Sequence, residues 1–487
     1  MDHPENSRPA PYDRFRPVAL AVITVAFAIS RLAMLSAGVL IQERPDFIQL
    51  LDFPLLSSHL LQSIYYLHSE PPLVNLLLGI GLKLFPHNYP LFFAVIFWLL
   101  GFFLPIALYS LMVGVGVRWW ISLILTVLFE ISPATLLFEN LYYDTYPTTF
   151  LLCFSAYALN RFLNEGSQFH GYAFVVALGL PVFLNASFQI TWFLGVAVVL
   201  LYFDYDRLRP LVPAGLIMLS LILLLYIKNL IVFGTFTTSS LIGVAVAGNT
   251  TQQLSFQDRS GLVLKGELSP YAIMSPFPIL SGPKTARTDI PVLDEVSKGD
   301  LRINPNVNNL NYLTISRADL HDAIWVVRHR PLVYPHGVWR AIKNYFQPAS
   351  ADLLYLQRYK IPRWSNLFEI LLEPSWLPAL PVDPLMDTMV RSRPAIEPPS
   401  TILLIGIPIL GLFAIATVLS EWRDVDAYHV TMLFITLTIL YSTALATLLT
   451  FGECNRYRYE VDPLYIVLFG ILVMKVGGFV RRWFNLY

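Results

Sequence analysis

Long apolar runs with almost no charge constrain the fold of this chain more than any other feature. A helix needs about 20 apolar residues to cross a bilayer, and only 14% of the 487 residues are charged. This pattern predicts an all-α polytopic membrane protein with about ten transmembrane helices. The predicted spans are about Pro17 to Ile41, 90–113, 119–138, 147–163, 171–186, 188–203, 211–233, 401–420, 427–450 and 460–476.

The placement of Lys and Arg predicts the orientation of these spans. Cytoplasmic loops carry an excess of positive residues, and a ten-span arrangement gives each predicted inside loop at least one. They are Arg8, Arg14, Arg16, Arg118, Arg161, Arg207, Arg209, Arg423, Lys475, Arg481 and Arg482. We therefore expect both termini in the cytoplasm, and a bacterial inner membrane is favoured. The run 71–85 is too short to span and is assigned to a juxtamembrane or re-entrant helix.

This arrangement divides the chain into four parts. Residues 1–16 form a cytoplasmic tail, 17–233 a transmembrane module that includes an external loop at 42–89, and 401–487 the last transmembrane helices. Residues 234–400 are polar and long enough for an external domain, with a helical patch around Ser316–His329. The segments 139–146 and 451–459 face the same external side.

The first predicted external loop contains the acidic residues that are the strongest candidates for catalysis. Apolar residues at Leu56, Leu60, Ile64 and Leu67 recur at helical spacing, which predicts an amphipathic helix along the membrane surface. Asp52 comes just before this helix and is the first candidate for a catalytic base, with Asp46 as its competitor. The alternative is that Asp52 only stabilises the helix N-terminus.

A second acidic cluster follows the third span, in the stretch EISPATLLFENLYYDTYP. Glu139 and Asp144 are expected to bind sugar, assist a base or hold a divalent cation. The competing interpretation is a hydrated turn within an aromatic belt of Tyr142, Tyr143 and Tyr146.

A basic motif, NRYRYEVDP, precedes the last span on the external side. The positive-inside rule disfavours Arg456 and Arg458 there, and arginine binds phosphate bidentately. Both are therefore candidates for binding a lipid phosphate. Pairing with Glu453, Glu460 or Asp462 is the alternative.

Two further cations lie within predicted spans. Ionisable groups inside a membrane are costly and usually face a partner or a cavity. Arg31, in the middle of the first span, is expected to have such a partner or to bind substrate. Lys228, near the external end of the seventh span, is a further candidate for the lipid phosphate.

Several functions are disfavoured by what the sequence contains. The formal net charge is zero, and we found no basic stripe for nucleic acid. Cys153 and Cys454 lie far apart and suggest neither a disulfide framework nor a metal site. The sequence contains no P-loop and no GxGxxG motif, so no nucleotide cofactor is expected.

Taken together, these motifs resemble the GT-C class of membrane glycosyltransferases, which includes protein O-mannosyltransferases and aminoarabinose transferases. The resemblance rests on Asp52, on LHSEPPLVNLLLG with His68 and Glu70, on the acids after the third span, and on NRYRYEVDPL. It covers about residues 15–235 and 400–480. The class pattern HPPL is spaced here as His-Ser-Glu-Pro-Pro-Leu, which makes Glu70 another competitor for the catalytic role.

The resemblance implies a sugar donor activated as a polyprenyl phosphate and used on the external face with inversion. Asp52 would accept the proton of an acceptor on a glycan, lipid or protein, and the arginines would stabilise the departing phosphate. Glu139, Asp144, His68, Glu70 and Arg31 would bind substrate. A transporter or lipid flippase and a non-catalytic assembly subunit are the alternatives. The transferase hypothesis requires Asp52, Glu139 and Arg456 to converge on one external cavity.

Overall fold

The computed structural model describes residues 11–41, 49–279, 288–299, 302, 304–351, 357–374, 399–420, 426–450 and 452–484. Asp46 lies outside these described residues. The chain is predominantly helical, as predicted.

The first half of the chain contains thirteen α-helices within its described part. They are α1 (Pro11–Ser36), α2 (Phe53–Ser58), α3 (Leu60–Tyr65), α4 (Pro72–Leu84), α5 (Tyr89–Gly114), α6 (Trp119–Glu130), α7 (Pro133–Glu139), α8 (Thr145–Glu165), α9 (Gln168–Gly179), α10 (Pro181–Leu184), α11 (Ile190–Phe203), α12 (Tyr205–Leu208) and α13 (Val212–Phe233).

The described part of the second half contains ten α-helices and one small sheet. The helices are α14 (Ile242–Asn249), α15 (Phe256–Leu264), α16 (Pro291–Asp294), α17 (Asn311–His329), α18 (Val333–Tyr345), α19 (Pro362–Leu372), α20 (Thr401–Ser420), α21 (Ala427–Leu448), α22 (Cys454–Tyr459) and α23 (Asp462–Phe484). The strands β1 (Ser297–Lys298) and β2 (Asn304–Pro305) pair antiparallel, with Ser297 opposite Pro305.

Six helical segments of the described chain are long and apolar enough to cross a membrane, or seven if one bent pair is a single span. They are Phe15–Ser36, Tyr89–Gly114, Tyr205–Phe233, Thr401–Leu419, Ala427–Leu448 and Asp462–Phe479. The chain is therefore an integral membrane protein. Three of the ten predicted spans, 147–163, 171–186 and 188–203, are not matched. The apolar helices over 168–184 and 190–203 have fewer than 18 residues, and the helix Thr145–Glu165 is long enough but too polar.

The bent pair is formed by α6 and α7, which meet at 57°. Pro133 has no N–H to continue the helical hydrogen bonding, and the Ser132 hydroxyl accepts a hydrogen bond from the amide of Thr135 at 3.2 Å, which caps α7. After the bend, α7 ends at Glu139, which is fully buried. A Cβ atom at Gly101 of α5 would lie 2.6 Å from the Glu139 carboxylate, so only glycine leaves room for that side chain.

The helix predicted after Asp52 is present in two pieces, α2 and α3. Leu56, Leu60 and Leu67 are buried, as their spacing predicted. The backbone breaks at His59, where φ is −128° and ψ is 44°, so α2 and α3 are separate. The segment before α2 is held to α4 by Asn75, whose amide oxygen accepts a hydrogen bond from the amide of Leu51 at 2.8 Å.

The region 234–400, called the loop domain below, contains α14 and α17, which are in close contact. A Cβ atom at Gly243 of α14 would overlap the carbonyl oxygen of Ser316, and the amide of Gly243 donates to the Ser316 hydroxyl at 3.0 Å. The predicted helical patch at Ser316–His329 is confirmed and begins five residues earlier, at Asn311. Asn249 at the end of α14 donates to the carbonyls of Thr447 and Thr450 at 3.2 and 2.9 Å, which docks the domain onto the end of α21.

Candidate active site

The guanidinium of Arg456 is the centre of a buried polar cluster. Its Nη1 donates to Asp144 Oδ1 at 3.2 Å and to the Thr145 hydroxyl at 3.1 Å. Its Nε donates to Glu453 Oε2 at 3.0 Å. Arg456 lies on α22 and Asp144 directly precedes α8, so these bonds join the ends of two helices that are distant in sequence. The predicted alternative, pairing with Glu453, occurs together with the pairing to Asp144.

Two tyrosine rings lie against the same guanidinium. The carbon at its centre is 4.9 Å from the ring centroid of Tyr143 and 4.4 Å from that of Tyr457. Such cation–π contacts favour the charged form. Tyr142, Tyr143 and Tyr146 are all buried, so the proposed aromatic belt around a hydrated turn is wrong for these three residues.

Glu70 is a half-buried carboxylate beside this cluster. Burial raises the pKa of Glu70 well above its usual range; Asp144 and Glu453 raise it further, and Arg456 lowers it. Burial also raises the pKa of Asp144, to about 6, with Arg456 opposing and Glu453 adding to the rise. Among the described residues, Glu70 forms no hydrogen bond or ion pair, so its carboxylate is free to accept a proton.

His68 and Ser69 hold Glu70 in place through the loop domain. The side-chain oxygen of Asn308 accepts hydrogen bonds from the amides of His68 and Ser69 at 2.8 and 3.1 Å. The amide of Ser240 donates to the carbonyl of His68 at 2.8 Å, and the Ser239 hydroxyl donates to that of Ser69 at 2.5 Å. The segment before Pro71 is therefore fixed on both sides.

The ring of His68 is part of this clamp. Its Nε2 lies 3.0 Å from the carbonyl oxygen of Asn308, which can only accept, so Nε2 carries the proton and Nδ1 accepts from the Ser240 hydroxyl at 2.7 Å. Burial lowers the pKa of His68 to about 3, and Lys228 lowers it further while the bond to Asn308 raises it. His68 is thus a neutral residue that positions Glu70.

Asp52 belongs to a different set of contacts. Its Oδ1 accepts a hydrogen bond from the amide of Gly299 at 3.2 Å, and its Oδ2 lies 3.9 Å from the guanidinium of Arg302. Asp52 precedes α2, as predicted, but its side chain makes no hydrogen bond that caps the helix. Its carboxylate joins the segment before α2 to Gly299 and Arg302, which lie between β1 and β2.

Glu139 and Arg31 form an ion pair within the protein. The Arg31 Nε lies 3.1 and 3.0 Å from the two carboxylate oxygens of Glu139, and Tyr146 donates to Glu139 at 3.4 Å. The expectation that Arg31 has a partner is confirmed. A second carboxylate, Glu130, lies 3.9 Å from Arg31. Both of its oxygens are buried, and neither has a hydrogen-bond partner among the described residues.

Arg458 and Lys228, the other two predicted phosphate ligands, donate hydrogen bonds to backbone carbonyl groups. Nη1 of Arg458 donates to the carbonyls of Tyr345 and Gln347 at 2.8 and 2.6 Å, and its Nε donates to Asp462 at 3.2 Å. Lys228 donates to the carbonyls of Tyr65 and Leu67 at 3.1 and 2.8 Å. Both side chains join helix ends to neighbouring segments.

Asp52, Glu139 and Arg456 therefore have separate hydrogen-bond partners within the described chain, and their convergence on one external cavity stays a prediction. Glu70, Asp144, Glu453 and Arg456 are the residues that come together. Sequence reasoning named Glu453 only as a pairing partner and missed Asn308, which the asparagine-rich run INPNVNNLN could have indicated. No group of three or more His, Cys, Asp or Glu residues with metal-binding placement occurs in the described ranges.

The solved structures similar to this chain include two of the oligosaccharyltransferase AglB from the archaeon Archaeoglobus fulgidus. One is in complex with an inhibitory peptide and a dolichol-phosphate, and the other is the apo form. They are 11% and 13% identical to this chain, match 98% and 96% of it, and each has a TM-score of 0.44. The chain matches 52% of each oligosaccharyltransferase, about half its length. No family model and no curated protein matches the chain.

Proposed function

We propose that the chain is a membrane glycosyltransferase that uses a polyprenyl-phosphate-linked sugar at the site formed by Glu70, Asp144, Glu453 and Arg456. The observation that carries the proposal is an unpaired, half-buried carboxylate, Glu70, beside a buried arginine at the ends of membrane helices. A transferase with a lipid-linked donor needs both a base and a cation at the membrane surface. The motif resemblance noted in the sequence agrees with this chemistry.

Glu70 is the residue we assign as the base. It would take the proton of the acceptor hydroxyl as that oxygen attacks the anomeric carbon and the bond from this carbon to the phosphate oxygen breaks. A positioned base contributes on the order of 10² to 10⁴ in rate. A raised pKa suits this role, because a base works best when its pKa lies near the operating pH. Asp52 is less suited, since its carboxylate already accepts from Gly299.

Arg456 is the cation that we assign to the departing lipid phosphate. Negative charge grows on the phosphate as the bond breaks, and a preorganised donor stabilises it. Asp144 and Glu453 hold the guanidinium in the resting site, so phosphate would replace part of these contacts. A single displacement with one base inverts the anomeric configuration, and Asp144 would then bind sugar hydroxyls.

The test uses the purified full-length protein in lipid nanodiscs with membrane extract as the source of acceptor. A panel of radiolabelled polyprenyl-phosphate sugars is added, and released polyprenyl phosphate is measured together with labelled product. We expect polyprenyl phosphate to be released with one sugar class. The release rate should fall by about 10² or more in Glu70→Gln and by less than about tenfold in Asp52→Asn.

Three outcomes would count against parts of this proposal. Loss of activity in Asp52→Asn with full activity in Glu70→Gln would assign the base to Asp52. Unchanged activity in Arg456→Gln would remove the arginine from the phosphate role. Release of lipid phosphate from no member of the panel would overturn the transferase function itself.

A further inference from the structure

Helix α19 carries an apolar stripe on its exposed side. Trp364, Leu367 and Leu371 recur at helical spacing, and Ile370 lies beside them. Between 36% and 69% of the surface of each of these four residues is exposed. A contiguous exposed apolar surface usually marks contact with a protein or a membrane.

The other side of α19 forms polar contacts within the protein. Ser365 is buried, and its hydroxyl donates to Oε1 of Glu369 at 3.1 Å. The same oxygen accepts hydrogen bonds from the hydroxyl of Ser350 at 2.7 Å and from Nη2 of Arg358 at 2.8 Å. Polar side chains therefore bond inside the protein while the apolar stripe faces away from it. A helix on the surface of a water-soluble domain has the opposite arrangement.

Helices α1 and α6 show where the membrane lies relative to α19, because they run side by side in the same direction. At their starts, the rings of Phe15 and Trp119 stack with 4.7 Å between their centroids. Near their ends, Nη1 of Arg31 donates to the carbonyl of Glu130 at 3.2 Å. Both helices belong to apolar segments that are candidates for crossing a membrane. Their C-terminal ends therefore lie toward the same membrane face.

The segment that contains α19 is bonded to both of these ends. Oε1 of Gln357 accepts from the amide of Leu40, just after α1, at 3.1 Å, and its Nε2 donates to the carbonyl of Leu40 at 2.5 Å. Nε1 of Trp364 donates to the carbonyl of Ile131, directly after α6, at 3.0 Å. The start of α19 is thus held beside the ends of two membrane segments.

A third contact fixes the other end of the helix. The amide of Thr401, where α20 starts, donates to the carbonyl of Pro374, two residues after α19, at 2.9 Å. Helix α20 is also long and apolar enough to cross a membrane. With both of its ends bonded in this way, α19 is kept at the level where three membrane segments begin or end.

We infer that α19 is a membrane-surface helix that binds the lipid bilayer through its stripe of Trp364, Leu367, Ile370 and Leu371. Tryptophan is enriched at this depth, because its ring is largely apolar and its N–H is polar. Arg363 is exposed on the same helix, and its long side chain can reach the phosphate headgroups. The inference is independent of the glycosyl transfer proposed above.

Spin labels test this inference in the full-length protein, in nanodiscs of phosphatidylethanolamine and phosphatidylglycerol. Labels are attached in Leu367→Cys and in Leu371→Cys. Collision of each label with oxygen, which concentrates in the bilayer, is compared with collision with a water-soluble nickel chelate. Leu32→Cys, at an exposed position of α1, is the lipid control. Lys265→Cys, at an exposed position of the loop domain, is the water control.

Three results are distinguishable. We expect the labels at 367 and 371 to favour oxygen, as the label at 32 does, and the label at 265 to favour the nickel chelate. A preference for the chelate at 367 and 371 would place the stripe in water and overturn the inference. Low collision with both reagents would show that protein covers the stripe, either residues 375–398 or a second copy of the chain, and would also overturn it. Cys153 and Cys454 are buried, so the unsubstituted protein gives the labelling background.

Hydrogen exchange tests the apolar contact without a label. The double variant Leu367→Gln/Leu371→Gln should bind lipid less well, so the amides of residues 362–372 should exchange faster than in the wild type. Leu264→Gln is the matched control, since Leu264 is an exposed leucine on α15, and it should leave this exchange unchanged. Equal exchange in the double variant and the wild type would contradict binding of the stripe to the bilayer.

Discussion

Asp144 and Arg456 are 312 residues apart in sequence, yet the carboxylate oxygen of one lies 3.2 Å from the guanidinium nitrogen of the other. This contact joins the N-terminal end of α8 to the short helix that precedes the last span. Glu453 bonds the same guanidinium from the other side. The single arginine therefore compensates carboxylates that would otherwise repel one another.

Arg456→Met should destabilise the protein, because it leaves Asp144 and Glu453 without their cation. Breaking a buried ion pair by removing one partner typically costs about 3 kcal/mol or more. We expect a loss of this size in the free energy of unfolding, measured by denaturant titration in mixed micelles. The double variant Arg456→Met/Asp144→Asn should be less destabilised than the sum of the single variants. An additive result would show that the two side chains do not interact.

The carboxylates Glu70, Asp144 and Glu453 should also affect how the turnover rate depends on pH. Since Glu70 must lose its proton to act as a base, and its pKa lies well above its usual range, the rate should rise with pH above the ordinary carboxyl range of about 4. The apparent pKa belongs to the interacting group and not to one residue.

Glu453→Gln tests whether the charge of a neighbouring carboxylate contributes to the raised pKa of Glu70. Its negative charge raises the pKa of both Glu70 and Asp144, so removing it should move the acidic limb of kcat/KM to lower pH. Glu165→Gln, at an exposed position at the end of α8, is the control and should leave the profile in place. A profile in Glu453→Gln that coincides with the wild type would contradict the assignment.

Local patterns in the sequence predicted local structure well. Leu56 and Leu60 are buried on α2 and α3, and Leu67 is buried just after α3, as their spacing predicted. The predicted helical patch of the loop domain is part of α17. The break at His59 was not predicted, because the apolar period continues across it. Ser63, a polar residue of α3, is buried as well.

Only some residues of the candidate active site could be predicted from the sequence. Asp144, Glu70 and Arg456 were named from motifs, but which of the acids meet the arginine depends on contacts between distant helix ends. Periodicity within one helix carries no information on such pairings.

The fit between α5 and α7 gives a third prediction. Gly101→Ala would place a methyl carbon 2.6 Å from the carboxylate of Glu139, which is fixed by Arg31. Overpacking of this kind typically costs about 1–3 kcal/mol, and we expect such a loss in unfolding free energy. Gly195→Ala on α11 is the control, because its added carbon would meet no atom within 4 Å. Equal stability of the two variants would show that Glu139 can move aside freely.

The last prediction concerns Asn308, which holds the segment that precedes Glu70. Asn308→Ala removes the oxygen that accepts from the amides of His68 and Ser69 and the nitrogen that donates to the carbonyl of Tyr66 at 3.0 Å. The freed amides should exchange hydrogen faster, and kcat should fall because Glu70 is less well positioned.

Asn308→Asp separates these two contributions. Its carboxylate can still accept from both amides but cannot donate to Tyr66, so protection of His68 and Ser69 from exchange should largely return. Asn309→Ala serves as the matched control, since Asn309 donates to the carbonyls of Leu293 and Glu295 in the loop domain. Hydrogen exchange read by mass spectrometry on the peptide that contains residues 66–70 gives the comparison. If exchange in Asn308→Ala remains at the wild-type rate, the loop domain does not hold Glu70 in place through this residue.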